Sequence, residues 1–272
     1  IVSTHLERSS KKLDLQLKQL KDTEKRDKFK VYGELLNTYG YQVTEGAKSV
    51  EVPNYYTGEM LTIPLDETLS PLDNAKKYFA RYNKLKRTFE ALNTQTEETK
   101  TEIAHLQTIQ AALAIAESED DLAQIRDELE TYGYIRRKMN GKKKQKSKSK
   151  PFHYRSSDGF DIYVGKNNFQ NDELTFKVAN GNDWWFHAKG MPGSHVIVKT
   201  EGRELPDRTF EEAGRLAGYY SSGRDNEKIE IDYLQRKNVK KPNGAVAGYV
   251  IYYTNYSLTI HPDISGIEKI SE

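Results

Sequence analysis

Leu6, Leu13 and Leu20 recur every seven residues, with Leu17 and Val31 between them. A seven-residue apolar repeat lays one seam along a helix and asks for a partner helix. It predicts a helix over residues 3–38, although Ser10, Glu24 and Asp27 interrupt the seam. Gly33 and Gly40 weaken its far end, and Gly40 suits a cap. A second, longer seam runs through Tyr78, Tyr82, Leu85, Phe89 and Leu92, then Thr96, Thr99, Ile103 and Leu106 to Gln110 and Leu113. Its spacing alternates four and three, the signature of a supercoiled helix pair. Ser70, Pro71 and Asp73 supply its start signal. From Pro71 to Glu117 such a helix measures about 70 Å at 1.5 Å per residue. Thr96, Thr99 and Gln110 lower its stability and tune its register.

Residues 41–69 change period. Val50-Glu51-Val52 alternates, Pro53-Asn54 and Thr57-Gly58 are turn signals, and Met60-Leu61-Thr62-Ile63 follows. This predicts a small β-hairpin tip that reverses the chain, so the two long helices run antiparallel. Tyr55 and Tyr56, near the turn, either pack the tip or meet a partner. Ser118 followed by Glu119, Asp120 and Asp121 starts a third helix, with Leu122, Ile125 and Leu129 on its apolar face and Gly133 at its end.

The last stretch reads as globular. Strands are predicted at Phe160–Val164, Trp184–Ala188, His195–Lys199, Ile229–Tyr233, Tyr249–Tyr253 and Leu258–His261, and helices at Asn167–Val178 and Thr209–Ser222. Without a strict βαβ repeat the class is α+β. The domain reading is therefore 1–135 as a long antiparallel helical coiled-coil arm with its β tip at about 41–69, 136–150 as a Lys-rich linker, and 151–272 as a compact mixed α+β domain.

Composition sharpens this picture. Apolar residues are 36% and charged residues 30% of 272, which suits much solvated helix surface. Net charge is +2, yet residues 136–150 hold nine basic and no acidic side chains, leaving the rest at −7. That linker, with Lys142, Lys143 and Lys144 at its centre, is either a solvated spacer or a contact to phosphate backbone. Residues 151–272 carry 15 basic and 17 acidic side chains, so RNA binding there needs a local patch. The absence of cysteine excludes disulfides and thiol chemistry. No apolar run approaches the roughly 18 residues that span a bilayer, so no membrane partner is expected. Ile1–Leu6 leads straight into charged sequence, which predicts no signal peptide, and the missing initiator Met implies a preceding portion.

Candidate chemistry is sparse. Ser194 opens a strand and lacks the strand–turn–helix setting of a nucleophile elbow. His187 and His195 lie on adjacent strands but have no third ligand at metal spacing. Gly190–Gly193 lacks the helix start of a phosphate loop. The expectation is a non-catalytic protein with no cofactor, no metal and no small-molecule substrate. Basic residues with aromatic neighbours say more. Trp184, Trp185, Lys189, Lys199 and Arg203 surround one hairpin, and Arg236, Lys237, Lys240 and Lys241 cluster after the alternating strand. The RNA-binding candidates are Trp185, His187, Lys189, His195, Arg236, Lys237, Lys240 and Lys241, with Lys142, Lys143 and Lys144 in the linker. The bland alternative for the aromatic members is core packing, since one of Trp184 and Trp185 must point inward on a strand.

Three segments resemble the NFACT-R domain of the NFACT family: Val164–Thr175, Asp183–Lys189 with Pro192–Val196, and Lys237–Ala245. The helical part before them resembles the family's coiled-coil middle arm. The resemblance implies a ribosome quality-control factor that binds the large ribosomal subunit and RNA, rRNA and tRNA included. It would support alanine tailing of stalled nascent chains as an adaptor while the ribosome makes the bonds. The family's tRNA-handling N-terminal domains are not in this sequence, so tailing by this stretch alone is not expected. Some members are described as anchorless surface adhesins that bind fibronectin or fibrinogen, which is the alternative reading. The expected location is cytoplasmic, with a cell-surface location possible only by non-classical export.

Overall fold

The computed structural model describes residues 1–136 and 149–270. These divide into two compact units: Glu7–Glu102, and Ile1–Leu6 together with the described residues from Ile103 on. The division falls inside a helix, not at the Lys-rich stretch, most of which (137–148) lies outside the described residues.

The first unit takes α1 (Val2–Asp22) from Glu7 on, a 3₁₀ turn at Thr23–Lys25, α2 (Arg26–Tyr39), β1 (Ser49–Pro53), β2 (Met60–Pro64) and α3 (Pro71–Ile115) as far as Glu102. The single helix expected over 3–38 is thus stepped at Thr23. Gly40 keeps a right-handed backbone and passes into a second 3₁₀ turn instead of a left-handed cap. Arg26 lies over the Phe89 ring, Phe29 stacks on Tyr78, and a Cβ on Gly33 would stand 2.9 Å from the Phe79 ring. From Arg26 against Phe89, through Gly33 against Phe79, to Gly40 against Pro71, the contacts step backward along α3 as α2 advances, so the two helices run antiparallel. Gly33 lets them approach closely. Val52 and Ile63 from the paired hairpin strands complete a core with Tyr32, Leu35, Leu36 and Ala75. Each such burial stabilises the unit by about 1.5–3 kcal/mol. Tyr55 and Tyr56 remain outside that core at 51% and 58% exposure, and the Tyr56 hydroxyl donates to Glu34 at 2.8 Å.

The seam itself is half polar. Leu13 and Leu20 are partly covered, but the buried positions that alternate with them are Ser9, Gln16 and Thr23, while Leu17 is 43% exposed. On α3 Leu92, Thr96 and Thr99 are buried, as their spacing predicts. Gln16 Oε1 and Thr96 Oγ1 are buried without a hydrogen-bond partner among the described residues. Beyond Leu106 the seam shifts phase. Ile109 and Ala112 are buried where Gln110 and Leu113 were expected, because this end of α3 packs against other elements.

In the second unit, Val2 joins Leu106, Ile109 and Ala112 of α3 and Ile125 and Leu129 of α4 (Glu119–Thr131). Ser118 caps α4 in a reciprocal capping box with Asp121. Leu122, expected on the apolar face, is exposed. The sheet follows: β3 (Phe152–Arg155), β4 (Asp161–Val164), α5 (Asn168–Glu173) with a π turn to Val178, β5 (Trp184–Ala188), β6 (Val196–Val198), α6 (Asp207–Tyr219), β7 (Ile229–Gln235), β8 (Tyr256–Ile260) and β9 (Glu268–Lys269). The seven strands are antiparallel in the order β8-β7-β5-β6-β4-β3-β9. Side chains alternate across the sheet. One face carries Phe186, Ala188, Val196, Val198 and Ile231 under α6. The other carries Trp185, Ile197 and Leu234 against Leu174 and Val239. Tyr249–Tyr253, read as a strand, is not one: Ile251 makes a lone bridge to Lys240. Gly248, at φ +76°, turns this segment, and Val250 and Tyr252 pack against the Trp185 face of the sheet.

Candidate nucleic-acid interface

Of the segments that carry the family resemblance, Val164–Thr175, Asp183–Lys189 and Pro192–Val196 are largely interior, while Lys237–Ala245 is mostly exposed. Asn167 caps α5 by accepting from the Gln170 N–H at 3.0 Å. Its Nδ2 donates to Gln124 Oε1 on α4 at 2.7 Å, and Asn168 Nδ2 donates to Thr108 Oγ1 and Glu128 Oε1, each at 2.7 Å. Lys166 pairs with Asp121 at 3.2 Å, and His105 Nε2 meets Glu128 Oε1 at 2.9 Å. This amide and ion-pair network fastens α3 and α4 to the β4–α5 corner. Buried polar groups need such partners, because an unmet one costs about 1–3 kcal/mol.

Trp185 has no exposed surface. Its ring stacks on His187 at 5.6 Å and meets His195 edge-on at 5.1 Å, and its Nε1 has no partner among the described residues. His195 is buried and shares a hydrogen bond of 2.8 Å between its Nδ1 and Thr175 Oγ1. Burial pushes the His187 imidazole down to about 4, and burial followed by the neighbouring His187 holds His195 well below the usual range. Both rings are therefore neutral at pH 7 and offer no charge to a phosphate. No group of three His, Asp or Glu side chains among the described residues could hold a metal ion. Below them Asp232 accepts from Tyr252 Oη, Asn255 Nδ2 and Ser257 Oγ at 2.7–2.8 Å.

The basic candidates divide. Lys189 is exposed and paired with Glu230 at 2.6 Å, a hydrogen bond that raises its pKa. Lys241 is tied to Asp172, which also accepts from the Gly248 N–H. Arg236 donates from Nε to the Thr175 carbonyl at 2.6 Å. Lys237 and Lys240 are exposed on the turn after β7, and neither is in an ion pair among the described residues. Lys142, Lys143 and Lys144 lie outside the described residues.

Trp184, in the opposite phase to Trp185, was not among the candidates. It is half-buried at the start of β5, edge-on to Phe210 at 4.8 Å, and near Tyr233 at 5.8 Å and the exposed Tyr256 at 6.4 Å. A cleft of about 460 Å³ opens there, with Trp184, Phe210 and Leu205 as its apolar lining and Asn182, Gln235, Thr200, Arg203 and Glu204 as its polar one. Strand parity alone would have marked it: if Trp185 faces inward, Trp184 faces the other layer.

Comparison with known proteins covers most of the chain. Residues 1–148 match the model for the NFACT N-terminal and middle domains, and residues 150–252 match the NFACT protein RNA binding domain. The chain is 40% identical over 270 residues to the Rqc2 homolog RqcH of Streptococcus suis, covering 99% of this chain and 48% of that protein. Against the Rqc2 homolog RqcH of Bacillus subtilis it is 37% identical over 259 residues, 94% of this chain and 45% of that one. The chain thus spans about half the length of these relatives. A solved structure, the C-terminal of the fibronectin/fibrinogen-binding protein from Streptococcus suis, superposes with a TM-score of 0.76 at 34% identity, covering 99% of this chain and 95% of that one. With the two family models matching the consecutive stretches 1–148 and 150–252, the chain belongs to the NFACT family.

Proposed function

We propose that this chain is the arm and RNA-binding portion of a ribosome quality-control factor. It binds the large ribosomal subunit through RNA and acts as a non-catalytic adaptor in alanine tailing of stalled nascent chains. The match of residues 150–252 to an RNA-binding domain carries the reading. The exposed Lys237 and Lys240, with the Lys-rich segment 136–150, are its phosphate contacts. Each neutralised phosphate releases counterions, so binding weakens as salt rises. Residues 1–135 are the family's coiled-coil arm, a reading supported by the antiparallel packing of α2 on α3 and by the buried four-three spacing from Ser9 to Thr23.

The fibronectin/fibrinogen-binding description of the superposed S. suis structure favours a second reading, a surface adhesin. Co-sedimentation of the chain with purified large subunits, beside capture on immobilised fibronectin, separates the two. Salt-sensitive subunit binding is the expected outcome. Saturable fibronectin capture with no subunit binding supports the adhesin instead.

A further inference from the structure

We infer that the cleft at Trp184 is a subsite for one unpaired nucleotide of an RNA strand. The inference rests on the RNA-binding reading and adds where, and in what form, the RNA is held. Three observations converge. The first is an aromatic wall. The Trp184 ring is half-buried and fixed edge-on against Phe210, with Tyr256 beside it at 62% exposure. A rigid aromatic face loses little freedom on stacking, and every base has a π face to offer it. A base inside a duplex has both faces covered by its neighbours, so only an unpaired or splayed base can use this wall.

The second is a pair of amides. Asn182 and Gln235 line the same cleft. Each carries both donors and an acceptor, the complement of a base edge. Register explains the placement: Gln235 is the cross-strand partner of Trp184.

The third is charge. The Arg203 guanidinium is held 4.0 Å over the Phe160 ring. Lys237 donates its backbone N–H to Gly181, the neighbour of Asn182, at 3.0 Å. Arg203 lines the cleft and also pairs with Glu201 at 3.8 Å, and Lys237 sits on the loop beside Asn182, so cations on two separate loops stand near the aromatic and amide surface for a strand's phosphates to meet. Glu204 in the lining is an acceptor suited to an exocyclic amino group, and it repels phosphate from that side. An apolar peptide would find the aromatic wall equally good but would leave the amides and the two cations unused.

The test uses the full chain. Affinity is measured by fluorescence anisotropy for a labelled short oligoadenylate and for an RNA duplex of the same length, with Trp184→Ala, Trp184→Phe and Gln235→Ala beside the unaltered chain. Trp184→Ala is expected to weaken single-strand binding by about ten-fold while changing duplex binding by less than about two-fold, and Trp184→Phe to restore most of the loss. Oligoadenylate is also expected to quench tryptophan emission of the unaltered chain, a readout that holds even if Trp184→Ala folds poorly. Single-strand affinity unchanged in both Trp184→Ala and Gln235→Ala, or emission unchanged at saturating oligoadenylate, overturns the subsite while leaving RNA binding intact. Absence of binding to both probes by the unaltered chain overturns the RNA reading itself.

Discussion

Trp184 and Trp185 are consecutive, yet they belong to different faces of one sheet. Trp185 enters a closed layer of rings and hydrogen-bonded polar groups: His187, His195, Thr175, Asp232 and Tyr252. Trp184 ends the opposite, apolar layer, where the core under α6 runs out and opens to solvent beside Phe210 and Tyr256. The family-like Asp183–Lys189 segment therefore contains one tryptophan that builds the domain and one that the domain presents. Side-chain parity, not residue type, decides which is which.

The largest effect should come from the closed face. Trp185→Ala removes a fully buried ring and is expected to destabilise the sheet unit by about 3–5 kcal/mol. Trp184→Ala should cost well under half of that in the same chemical denaturation experiment. Equal losses would erase the distinction between the two faces.

Acid should attack the closed face next. His187 and His195 are held neutral in the folded chain and protonate at ordinary values when unfolded. The unfolded state therefore binds more protons below pH 6.5, and stability falls as pH drops from about 6.5 towards 4. The loss from His187 alone is on the order of 2 kcal/mol, less than its full shift implies because the ring keeps some solvent contact. Unfolding midpoints across that pH window check it. A His187→Gln variant should show a flatter profile, and an unchanged slope would contradict burial as the cause.

The polar seam of the first unit offers a contrast of opposite sign. Thr96→Val replaces a buried hydroxyl lacking a partner with a methyl of the same shape, and should stabilise by about 1 kcal/mol. A loss of stability would mean that Thr96 Oγ1 is satisfied in solution. Smallest of all is Lys189→Ala. Its pair with Glu230 is half-exposed on both sides, so thermal unfolding should change by less than about 0.5 kcal/mol.

Local signals in the sequence read through to structure where a neighbouring residue enforces them. Ser118 with Asp121 and Ser70 with Asp73 mark helix starts because both members of each pair sit within one turn. Alternation in Ile229–Tyr233 survives because Ile229, Ile231 and Tyr233 join the core under α6, while the exposed Glu230 and the hydrogen-bonded Asp232 take the other face. The failures share a cause: they depend on partners far along the chain. The α3 seam shifts after Leu106 because α4 and Val2 replace the expected partner. Tyr249–Tyr253 alternates like a strand, but it covers the sheet face and does not extend the sheet. Lys241 looked available for phosphate until Asp172 came to meet it. Trp184 and Arg203 fall around one predicted hairpin, but Gln235 joins them only through sheet register, so no short motif names the three together.

RNA is proposed to meet the open side of this domain through surface cations, while the buried Trp185–His195 layer takes no part. Salt dependence of oligoadenylate affinity, measured for the unaltered chain and for Lys237→Ala/Lys240→Ala, tests it most directly. The account predicts that log affinity falls linearly with log salt and that the double variant reduces the slope by about 1.4, roughly 0.7 for each lost single-strand phosphate contact. An unchanged slope and affinity in the double variant would contradict it.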